Sequence, residues 1–430
     1  MTARYRELRV SALARVEGEG ALRVIVANGV VERAELQIYE PPRFFEAFLR
    51  GRQHTEVTDI TSRICGICPI AYQTCGWQAI EQACGVVVDD RIAELRRLLY
   101  CGEWISSHAL HIYLLHAPDF LGYPDAIAMA KDRHELLERG LRLKKAGNAI
   151  LEVVGGRAIH PVNTRIGGFH RAPTKAELGP LAEQLRHAID DALATAAWVA
   201  TFDFPDFDID HDLLSLHHRD RYAIEAGEIR STSGLAFPAS EFSDHVVEHQ
   251  VPHSTALHAA LDGRRYFTGP LARYTLNSAQ LSPIARQAAT DAGLGPTCRN
   301  PYRSIVVRAV ETVYALDEAL RLIDAYERPD PPGVAVAPRA GVGYGVSEAP
   351  RGLLYNRYEL DADGLIRSAT IIPPTSQNQA AIEDDLRRVA TENLHLGDSS
   401  LTALCERTIR HYDPCISCSA HFLELTVDRR

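Results

Sequence analysis

Residues 63–69 read RICGICP, and residues 413–421, near the other end of the chain, read DPCISCSAH. Each stretch contains two cysteines separated by two residues, a spacing that lets both thiolates turn toward one ion. Thiolates select soft transition metals. The two pairs lie about 350 positions apart, unlike the closely spaced halves of a zinc ribbon. Spacing alone leaves three interpretations open, namely a four-thiolate metal site, a structural zinc and a redox dithiol.

The composition is typical of a globular protein, with 430 residues, 46% of them hydrophobic. No apolar run is long enough to span a membrane, and the start lacks the apolar core of a secretory signal, so we expect a cytoplasmic protein without direct membrane insertion. A net charge of -10 without a basic stripe argues against nucleic acid as a partner. Nine cysteines in such a chain indicate metal ligands, reactive thiols or buried residues rather than disulfides.

Hydrophobic periodicity predicts a mostly helical body, because apolar residues recur at three and four positions in five long stretches. These stretches are 91–116, 129–153, 174–200, 303–327 and 378–395. Near the N-terminus, Asn28-Gly29 separates two strand-like runs, which predicts a β-hairpin. We therefore predict a predominantly α fold of the α+β class, a long-helix bundle core with a small N-terminal β-sheet and irregular or β insertions.

No linker or internal repeat divides the sequence into independent units. The Pro/Gly-rich stretch 329–345 is the best candidate for a break, but residues on both sides serve one predicted site. We therefore predict one domain over 1–430. Its parts are a β-rich segment 1–60, a helical segment 61–200, an irregular or β insertion 201–300, a helical segment with the C-terminal metal motif 301–421, and a possible cleavable tail 422–430.

The order of the two cysteine motifs resembles the signatures of nickel-iron hydrogenase large subunits. The resemblance extends through RVEG at 15–18, FFE at 44–46, GGRAIHP at 155–161, EAPRG at 348–352 and PTSQN at 374–378. It implies the large-subunit fold and reversible H2 oxidation at a Ni-Fe centre whose iron carries CO and cyanide. Carried over by position, Cys65 and Cys415 match the terminal nickel ligands, and Cys68 and Cys418 match the thiolates that bridge nickel and iron.

The resemblance also implies how the proton leaves the centre. Heterolytic splitting of H2 needs a Lewis acid and a nearby base. Cys415 is the expected base, because the resemblance places Glu17 beside it, ready to pass the proton outward. Without the resemblance, Glu17 is one more charge near the start of a strand.

Three further residues match positions that contact the cofactor. Arg351 matches a guanidinium over the centre, where it would donate hydrogen bonds to cyanide or act as a second base, although arginine gives up its proton only with difficulty. Pro350 is assigned to the same contact region. Thr375 matches a hydroxyl that donates to the other cyanide. A competing interpretation is that Thr375 or Ser376 caps a helix that begins near Asn378.

Glu46 and His421 match the ligands of a second, redox-inert metal, either magnesium or iron. Otherwise Glu46 is an ordinary surface charge. His108 and His111 lie on one face of a predicted helix, and we expect them, with His160, to support the site through hydrogen bonds rather than to bind metal. The remaining cysteines are expected to be buried apolar residues, namely Cys75, Cys84, Cys101, Cys298 and Cys405.

One departure from the pattern indicates a branch of the family. Tyr72 stands where many members carry histidine, as in the cytoplasmic, NAD(P)-linked bidirectional branch. No G-x-G-x-x-G fingerprint is present, so NAD(P) would bind separate diaphorase subunits that also hold flavin. Electrons would leave through a partner small subunit that carries the iron-sulfur clusters, across a large and partly apolar contact surface.

The resemblance also bears on processing of the C-terminus, and two competing functions stay open. The resemblance implies a maturation protease that cuts after His421 and releases residues 422–430. The competing functions are a non-catalytic structural subunit, such as the hydrogenase-like subunit of respiratory complex I, and a structural zinc protein. The presence of all four motif cysteines argues against the first, and metal analysis separates the second from an enzyme that holds nickel and iron.

Overall fold

The structure, a computed structural model, describes residues 5–420 of the chain. Helices dominate this range. They are α1 (Phe45–Leu49), α2 (Val57–Thr61), α3 (Pro69–Cys84), α4 (Asp90–Leu110), α5 (Ala117–Leu121), α6 (Ala126–Asp132), α7 (His134–Gly155), α8 (Lys175–Val199), α9 (Phe242–His245), α10 (Pro270–Asn277), α11 (Pro283–Asp291), α12 (Ser304–Asp324), α13 (Pro374–Glu392), α14 (Asp398–Tyr412) and α15 (Ile416–Ser419). The predicted predominance of helix with small sheets is confirmed.

The strands form several small sheets rather than one large one. They are β1 (Tyr5–Val10), β2 (Gly20–Ala27), β3 (Val30–Ile38), β4 (Thr164–Arg165), β5 (Gly168–Phe169), β6 (Asp212–His217), β7 (Glu228–Ser231), β8 (Ala236–Phe237), β9 (Val246–His249), β10 (His258–Leu261), β11 (Tyr266–Thr268), β12 (Gly341–Ala349), β13 (Gly352–Leu360) and β14 (Ile366–Ile372). The sheet orders are β1-β2-β3, β4-β5, β11-β6-β7-β8, β10-β9 and β12-β13-β14. Only the β11–β6 pair of these is parallel.

The N-terminal sheet contains the hairpin that the sequence predicts. Strands β2 and β3 pair antiparallel on either side of Asn28 and Gly29, which both have positive φ. Two successive positive φ values match the twist of a tight hairpin, and Asn-Gly tolerates them at low cost. The chain leaves β3 toward α1, so the sheet lies next to the segment that holds Glu46.

The bundle core consists of α4, α7, α8 and α12, which pack against one another. Helices α4 and α7 approach closely, because a Cβ on Gly147 would lie 2.6 Å from the carbonyl oxygen of Gly102. All five predicted helical stretches are present, with boundaries shifted by a few residues. The stretch 91–116 ends in a π-helical turn at His111–His116, and the stretch 129–153 is broken near Arg133.

The segment predicted as helical over 301–421 also contains the sheet β12-β13-β14, so that prediction was wrong for residues 341–372. Strand β12 lacks alternating apolar residues because it carries glycine where it lies on α3. A Cβ on Gly343 would lie 1.8 Å from the carbonyl oxygen of Ala79, and one on Gly345 would lie 2.0 Å from that of Cys75. The glycines that indicated a break in the chain instead permit a strand to pack directly on helix backbone.

Two other segments differ from their predicted character. Helices α1 and α2 lie within the part predicted as β-rich, 1–60, and α10 and α11 lie within the insertion 201–300. Both α10 and α11 begin with proline at the first helical turn, a start signal that the irregular composition obscured. Among residues 5–420, no helix combines the length and apolar character needed to cross a bilayer.

Candidate metal centre

The four motif cysteines meet in one buried cluster, which we call the four-thiol cluster (Cys65, Cys68, Cys415 and Cys418). The Sγ atoms of Cys65 and Cys415 are 3.5 Å apart, those of Cys68 and Cys418 4.0 Å, and those of Cys415 and Cys418 2.7 Å. None of the four forms a disulfide within residues 5–420. These separations, too long for disulfides, let four sulfur atoms face a common point.

The first motif is held by the start of α3. Cys68 is the residue before the helix and Pro69 is its first residue, where a missing N–H costs nothing. Glu103 of α4 accepts hydrogen bonds from the backbone N–H groups of Ile70 at 2.5 Å and Ala71 at 3.2 Å. A buried carboxyl thus takes the place of the usual side-chain cap. The sequence analysis missed Glu103, because nothing in α4 distinguishes it from other helical glutamates.

Two thiols of the cluster, Cys65 and Cys415, have pKa values that are shifted in opposite directions. Contacts with Cys415 and the other two thiols lower the pKa of Cys65 well below its ordinary value. Burial first, and then contacts with neighbouring thiols, raises the pKa of Cys415. Four adjacent buried thiolates cannot all carry charge without a counter-ion. The donor set therefore fits a soft, multiply charged metal centre.

The segment around Glu17 lies against the second motif. Glu17 Oε2 is 3.1 Å from Cys415 Sγ and accepts the Ser417 N–H at 3.1 Å, while its backbone carbonyl accepts the N–H of Ile416 at 3.0 Å. Gly18 has φ +86, and a Cβ there would lie 2.7 Å from Ile416 Cβ. The glycine of the RVEG stretch therefore permits this close approach. Glu17 itself is half-buried.

Arg351 lies on another side of the cluster, where it is 2% exposed. Its Nε donates to the carbonyl of Asp413 at 3.0 Å, its Nη2 to Asp413 Oδ1 at 3.1 Å and its Nη1 to Ser107 Oγ at 3.4 Å. Burial disfavours its charged form, yet the Asp413 carboxylate and the nearby cysteines raise the pKa of Arg351 well above its ordinary value. The guanidinium stays charged, which suits a hydrogen-bond donor better than a base.

A buried ion network fixes the turn between β12 and β13 that carries Arg351. Arg273 donates to both carboxylate oxygens of Glu311 at 2.8 Å, and it also reaches Glu348 at 3.3 Å. It donates further to the carbonyl oxygens of Ala349 at 2.8 Å and Pro350 at 3.0 Å. The predicted contact residue Pro350 is thus held through its carbonyl by an arginine that the sequence analysis did not single out.

Thr375 lies in the first turn of α13, where its Oγ1 accepts the N–H of Cys415 at 3.0 Å. The competing interpretation of Thr375 or Ser376 as a helix cap is wrong, because the helix begins at Pro374 and has no side-chain cap. Ser376 instead donates to Glu248 Oε1 at 2.9 Å. The sequence predicted a helix that begins near Asn378, but Pro373-Pro374 starts it four residues earlier.

Glu46 belongs to a second group of oxygen donors, which are half-buried. Its Oε1 accepts the N–H of Ile371 at 2.6 Å, and burial raises the pKa of Glu46 to about 7. Burial and the neighbouring Glu46 raise the pKa of Glu248 to about 8, although Ser376 opposes the shift. Two adjacent carboxyls with disfavoured charge fit a hard cation. His421 and the tail 422–430 lie outside the described residues.

The histidines and the other cysteines take separate places. His108 Nε2 is 2.9 Å from Glu311 Oε2, and His111 Nε2 is 2.9 Å from the carbonyl of Arg410. His160 Nδ1 is 2.7 Å from the carbonyl of Ser62, three residues before Cys65. Four of the five unpaired cysteines are buried as expected, whereas Cys84 is partly exposed.

Tyr72 is 1% exposed on α3. Burial and the four cysteines together raise the pKa of Tyr72 well above its ordinary value, so the phenol stays protonated near the cluster. Within residues 5–420 its hydroxyl has no hydrogen-bond partner. The residue that departs from the commoner histidine therefore lies close to the site rather than at the surface.

Sequence comparison now bears on what this cluster is. A family model described as nickel-dependent hydrogenase matches residues 43–140. Sulfhydrogenase 1 subunit alpha of Pyrococcus furiosus is 34% identical over 98% of this chain and 99% of that protein. The chain belongs to the nickel-dependent hydrogenase family. Sulfhydrogenase 2 subunit alpha of the same organism is 33% identical over 97% of this chain and 100% of that protein.

Solved structures of hydrogenases share the fold. An NAD+-reducing [NiFe]-hydrogenase in the H2-reduced state matches with a TM-score of 0.83 and 25% identity, over 97% of this chain and 99% of that one. The Ni-Fe-Se hydrogenase of D. vulgaris Hildenborough, in its as-isolated oxidised state, matches with a TM-score of 0.78 and 22% identity, over 97% of this chain and 100% of that one. The second match bears on the fold alone.

These relatives establish the coarse function. The chain is the large, catalytic subunit of a nickel-dependent hydrogenase, which oxidises hydrogen or reduces protons. The clustered cysteines are consistent with a Ni-Fe centre. A non-catalytic subunit and a structural zinc protein are set aside as the function of this chain.

Proposed function

We propose that this chain splits H2 heterolytically and reversibly, exports the proton through Glu17, and passes electrons to an iron-sulfur small subunit and on to NAD(P). When bound, the Ni-Fe group, with CO and cyanide on its iron, supplies the Lewis-acid and redox chemistry. The proposal rests above all on the 3.1 Å contact between Cys415 Sγ and Glu17 Oε2. A thiolate and a carboxylate at this distance form a two-step relay for a proton.

Each proposed role has a matching contact. Cys65, Cys68, Cys415 and Cys418 would hold nickel and iron, with Cys415 as the first proton acceptor. Arg351 and the segment at Pro350 would orient the iron's cyanide through charged hydrogen-bond donation. The hydroxyl of Thr375, which accepts from the Cys415 backbone, keeps its own proton to donate to the other cyanide.

The proton has a continuation beyond Glu17. The Ser417 hydroxyl donates to Glu40 Oε2 at 2.9 Å, while its backbone N–H donates to Glu17. The backbone N–H does not pass a proton on, so transfer from Glu17 to the half-buried Glu40 would need a bridging water. Arg351 lacks such an outlet, because its donors end on Asp413 and Ser107 inside the protein.

The second metal in this proposal is magnesium, or iron, held by Glu46 and His421 near the C-terminal motif. Glu46 and Glu248 are adjacent carboxyls whose charge burial disfavours, and a divalent cation would restore both to the ionised form. The final strand of the β12-β13-β14 sheet fixes Glu46 through the Ile371 N–H. Removal of residues 422–430 by a maturation protease remains part of the proposal.

The electron acceptor is proposed from the similar hydrogenase that reduces NAD+. The similar NAD+-reducing hydrogenase couples hydrogen to a pyridine nucleotide. By analogy this chain would work in the cytoplasm with an iron-sulfur subunit and with diaphorase subunits that bind flavin and NAD(P). Ile159 and Val162 expose 58% and 46% of their surface on either side of His160, which contacts Ser62 just before the first motif. Exposed apolar side chains there suit a partner surface.

Co-expression of the tagged chain with the proteins that neighbouring genes encode, followed by purification, tests this proposal. We expect an iron-sulfur subunit to co-purify, nickel and iron to be bound, and H2 to reduce NAD+ or NADP+ in the complex. A complex that carries Cys418→Ser is the matched control for nucleotide reduction that does not depend on the centre. Reduction of an artificial viologen without any reduction of either nucleotide would refute the NAD(P) link, and zinc without nickel would refute the centre.

A further inference from the structure

A second group of potential metal ligands lies outside the four-thiol cluster. His253, His258 and Glu383 each offer one ligand atom, and these atoms lie within 4.8 Å of one another. His253 lies in the loop between β9 and β10, His258 begins β10, and Glu383 belongs to α13. Three separate segments of the chain therefore converge on one point.

His258 behaves as a ligand rather than as a packed residue. It is 4% exposed, and no polar atom of residues 5–420 forms a hydrogen bond with its buried Nε2. A buried nitrogen without a partner costs free energy unless another group satisfies it. Burial lowers the pKa of His258 to about 4, so its imidazole is neutral near pH 7, the form that binds a metal.

Glu383 and His253 are already oriented toward each other. Glu383 Oε1 accepts the backbone N–H of Leu36 at 2.9 Å and lies 2.7 Å from His253 Nε2. A backbone donor on the carboxylate fixes its direction, as the outer contacts of metal ligands do. His249 pairs with His258 across β9 and β10, with ring centroids 5.9 Å apart, and adds a third nearby imidazole.

The arginines near Glu383 do not pair with it, so its carboxylate is available to a metal ion. Arg265 and Arg387 lie 3.5 Å and 2.5 Å from Asp384, and Arg33 lies 3.7 Å from Glu35. Within the described part of the chain, no arginine or lysine forms an ion pair with Glu383, whose only ionic partner there is His253. Arg33, Arg265 and Arg387 therefore pair with acids other than Glu383.

A nearby cluster of potential metal ligands differs from this group, because its carboxylate already has protein partners. His211, Asp384 and Asp385 also bring three ligand atoms together. Asp385, however, already accepts hydrogen bonds from Tyr412 and from His211 and lies 3.6 Å from Arg388. Its carboxylate is satisfied by the protein, so that cluster is an ion-pair network.

We propose that His253, His258 and Glu383 form a binding site for a divalent transition-metal ion of the zinc class. Two imidazoles and a carboxylate are a donor set that zinc takes, whereas magnesium and calcium prefer oxygen alone. Bonds of about 2.0–2.1 Å set tetrahedral ligands roughly 3.3 Å apart. The contact between His253 and Glu383 opens slightly to admit the ion.

The site would act as a clamp. It joins the β9-β10 loop to α13, the helix whose first turn carries Thr375 beside the four-thiol cluster. Bound zinc would stabilise the folded chain by a free energy that grows with the logarithm of its affinity, because the unfolded chain does not hold the three ligands together. The ion has no part in hydrogen chemistry.

Zinc binding by the purified holoenzyme tests the site. The protein is treated with a chelator, equilibrated with zinc sulfate and examined by elemental analysis, zinc-edge X-ray absorption and competition with a chromophoric chelator. We expect one chelatable zinc per chain, with nitrogen and oxygen scatterers at about 2.0–2.1 Å and no sulfur. Sulfur at about 2.3 Å would mean zinc in the four-thiol cluster and, with no nitrogen-bound zinc, would overturn the proposal.

Variants assign the site to its residues. His258→Gln and Glu383→Gln should each weaken zinc binding by at least about 100-fold, beyond the effect of losing an outer contact. His245→Gln is the matched control, because His245 forms a similar pair with Asp262 at 3.1 Å beside the same hairpin but has no third ligand. Unchanged zinc affinity in both variants overturns the proposal. If neither variant folds, absorption data on the unmodified protein decide the question.

Discussion

Two flanks of the four-thiol cluster differ in what surrounds them. On one flank Glu17 is half-buried and contacts Cys415 Sγ, and Ser417 contacts both Glu17 and the half-buried Glu40. On the other flank Arg351 is 2% exposed and is clamped by Asp413. A group that exchanges protons needs an outlet, and a group that orients ligands needs rigidity. This difference supports the proposal that the Glu17 flank carries protons and that the Arg351 flank orients the ligands of the centre.

Loss of the cluster itself removes the function of both flanks. Cys418→Ser replaces a soft thiolate with a poor hydroxyl ligand, and we expect activity to fall by more than about 100-fold, with loss of nickel. Hydrogen-uptake assays and elemental analysis measure both effects. Cys84→Ser is the control, because Cys84 is partly exposed and lies outside the cluster. Full nickel content with retained uptake in Cys418→Ser would contradict the ligand assignment.

The rigidity of the Arg351 flank depends on Glu311. Glu311→Gln leaves the buried Arg273 without its two-pronged carboxylate partner and with only the longer contact to Glu348, and we expect a loss of about 3–5 kcal/mol in the free energy of unfolding. The pKa of Glu311 is lowered to about 2, because Arg273 and His108 outweigh burial. The carboxylate therefore stabilises the fold above its unfolded pKa of about 4.3, and this contribution disappears as the pH falls toward 2.

Denaturation of both proteins at several pH values measures this difference. The gap in unfolding free energy between wild type and Glu311→Gln should be full at pH 7 and should narrow below about pH 4.3. Asp398→Asn is a control, because Asp398 pairs with Arg6 at the surface. A gap that stays constant down to the acid limit would mean that the carboxylate charge is not what holds Arg273.

Arg351→Lys tests whether the Arg351 flank acts by orienting ligands. Lysine keeps the charge but loses the planar fork that donates to Asp413, so we expect a loss of roughly 10- to 100-fold in activity with nickel retained. The pH profile of the remaining activity should keep its shape, because Arg351 does not titrate in this account. A shifted pH profile would indicate that Arg351 acts as a base.

The outer end of the Glu17 flank should matter least. Glu40→Gln removes the second carboxylate, but water reaches this half-buried position and can replace it, so we expect a loss of less than about tenfold in solvent isotope exchange. Gas-phase mass spectrometry of exchange measures this loss. A loss as large as that in a Glu17 variant would show that the proton cannot bypass Glu40.

The parts of the molecule that follow local rules were predictable. The Asn28-Gly29 hairpin and the five helices follow from turn chemistry and periodicity, whereas spacing left the convergence of the two C-x-x-C motifs as one of three interpretations. Glu17 and Arg351 were assigned roles by resemblance to a family rather than by their own sequence context. The structure places both beside the cluster.

The missed parts depend on contacts between distant segments. Strand β12 carries glycines because α3 lies against it, which no local pattern reveals. Glu103 caps a helix from another helix, and Arg273 holds the Pro350 carbonyl from 77 positions away. Buried charges of this kind look like surface charges in sequence, since only the fold shows which are enclosed.

The central claim is that protons leave through Glu17, and isotope exchange in Glu17→Gln tests it most directly. Recombination of H2 with D2 at the centre needs no path to solvent, whereas exchange of D2 with water protons needs the whole path. We expect Glu17→Gln to keep its nickel and iron but to lose about 100- to 10,000-fold of exchange with water, since glutamine cannot carry a proton. Glu17→Asp, which keeps a carboxylate, should retain more. Near-normal exchange in Glu17→Gln would contradict the account.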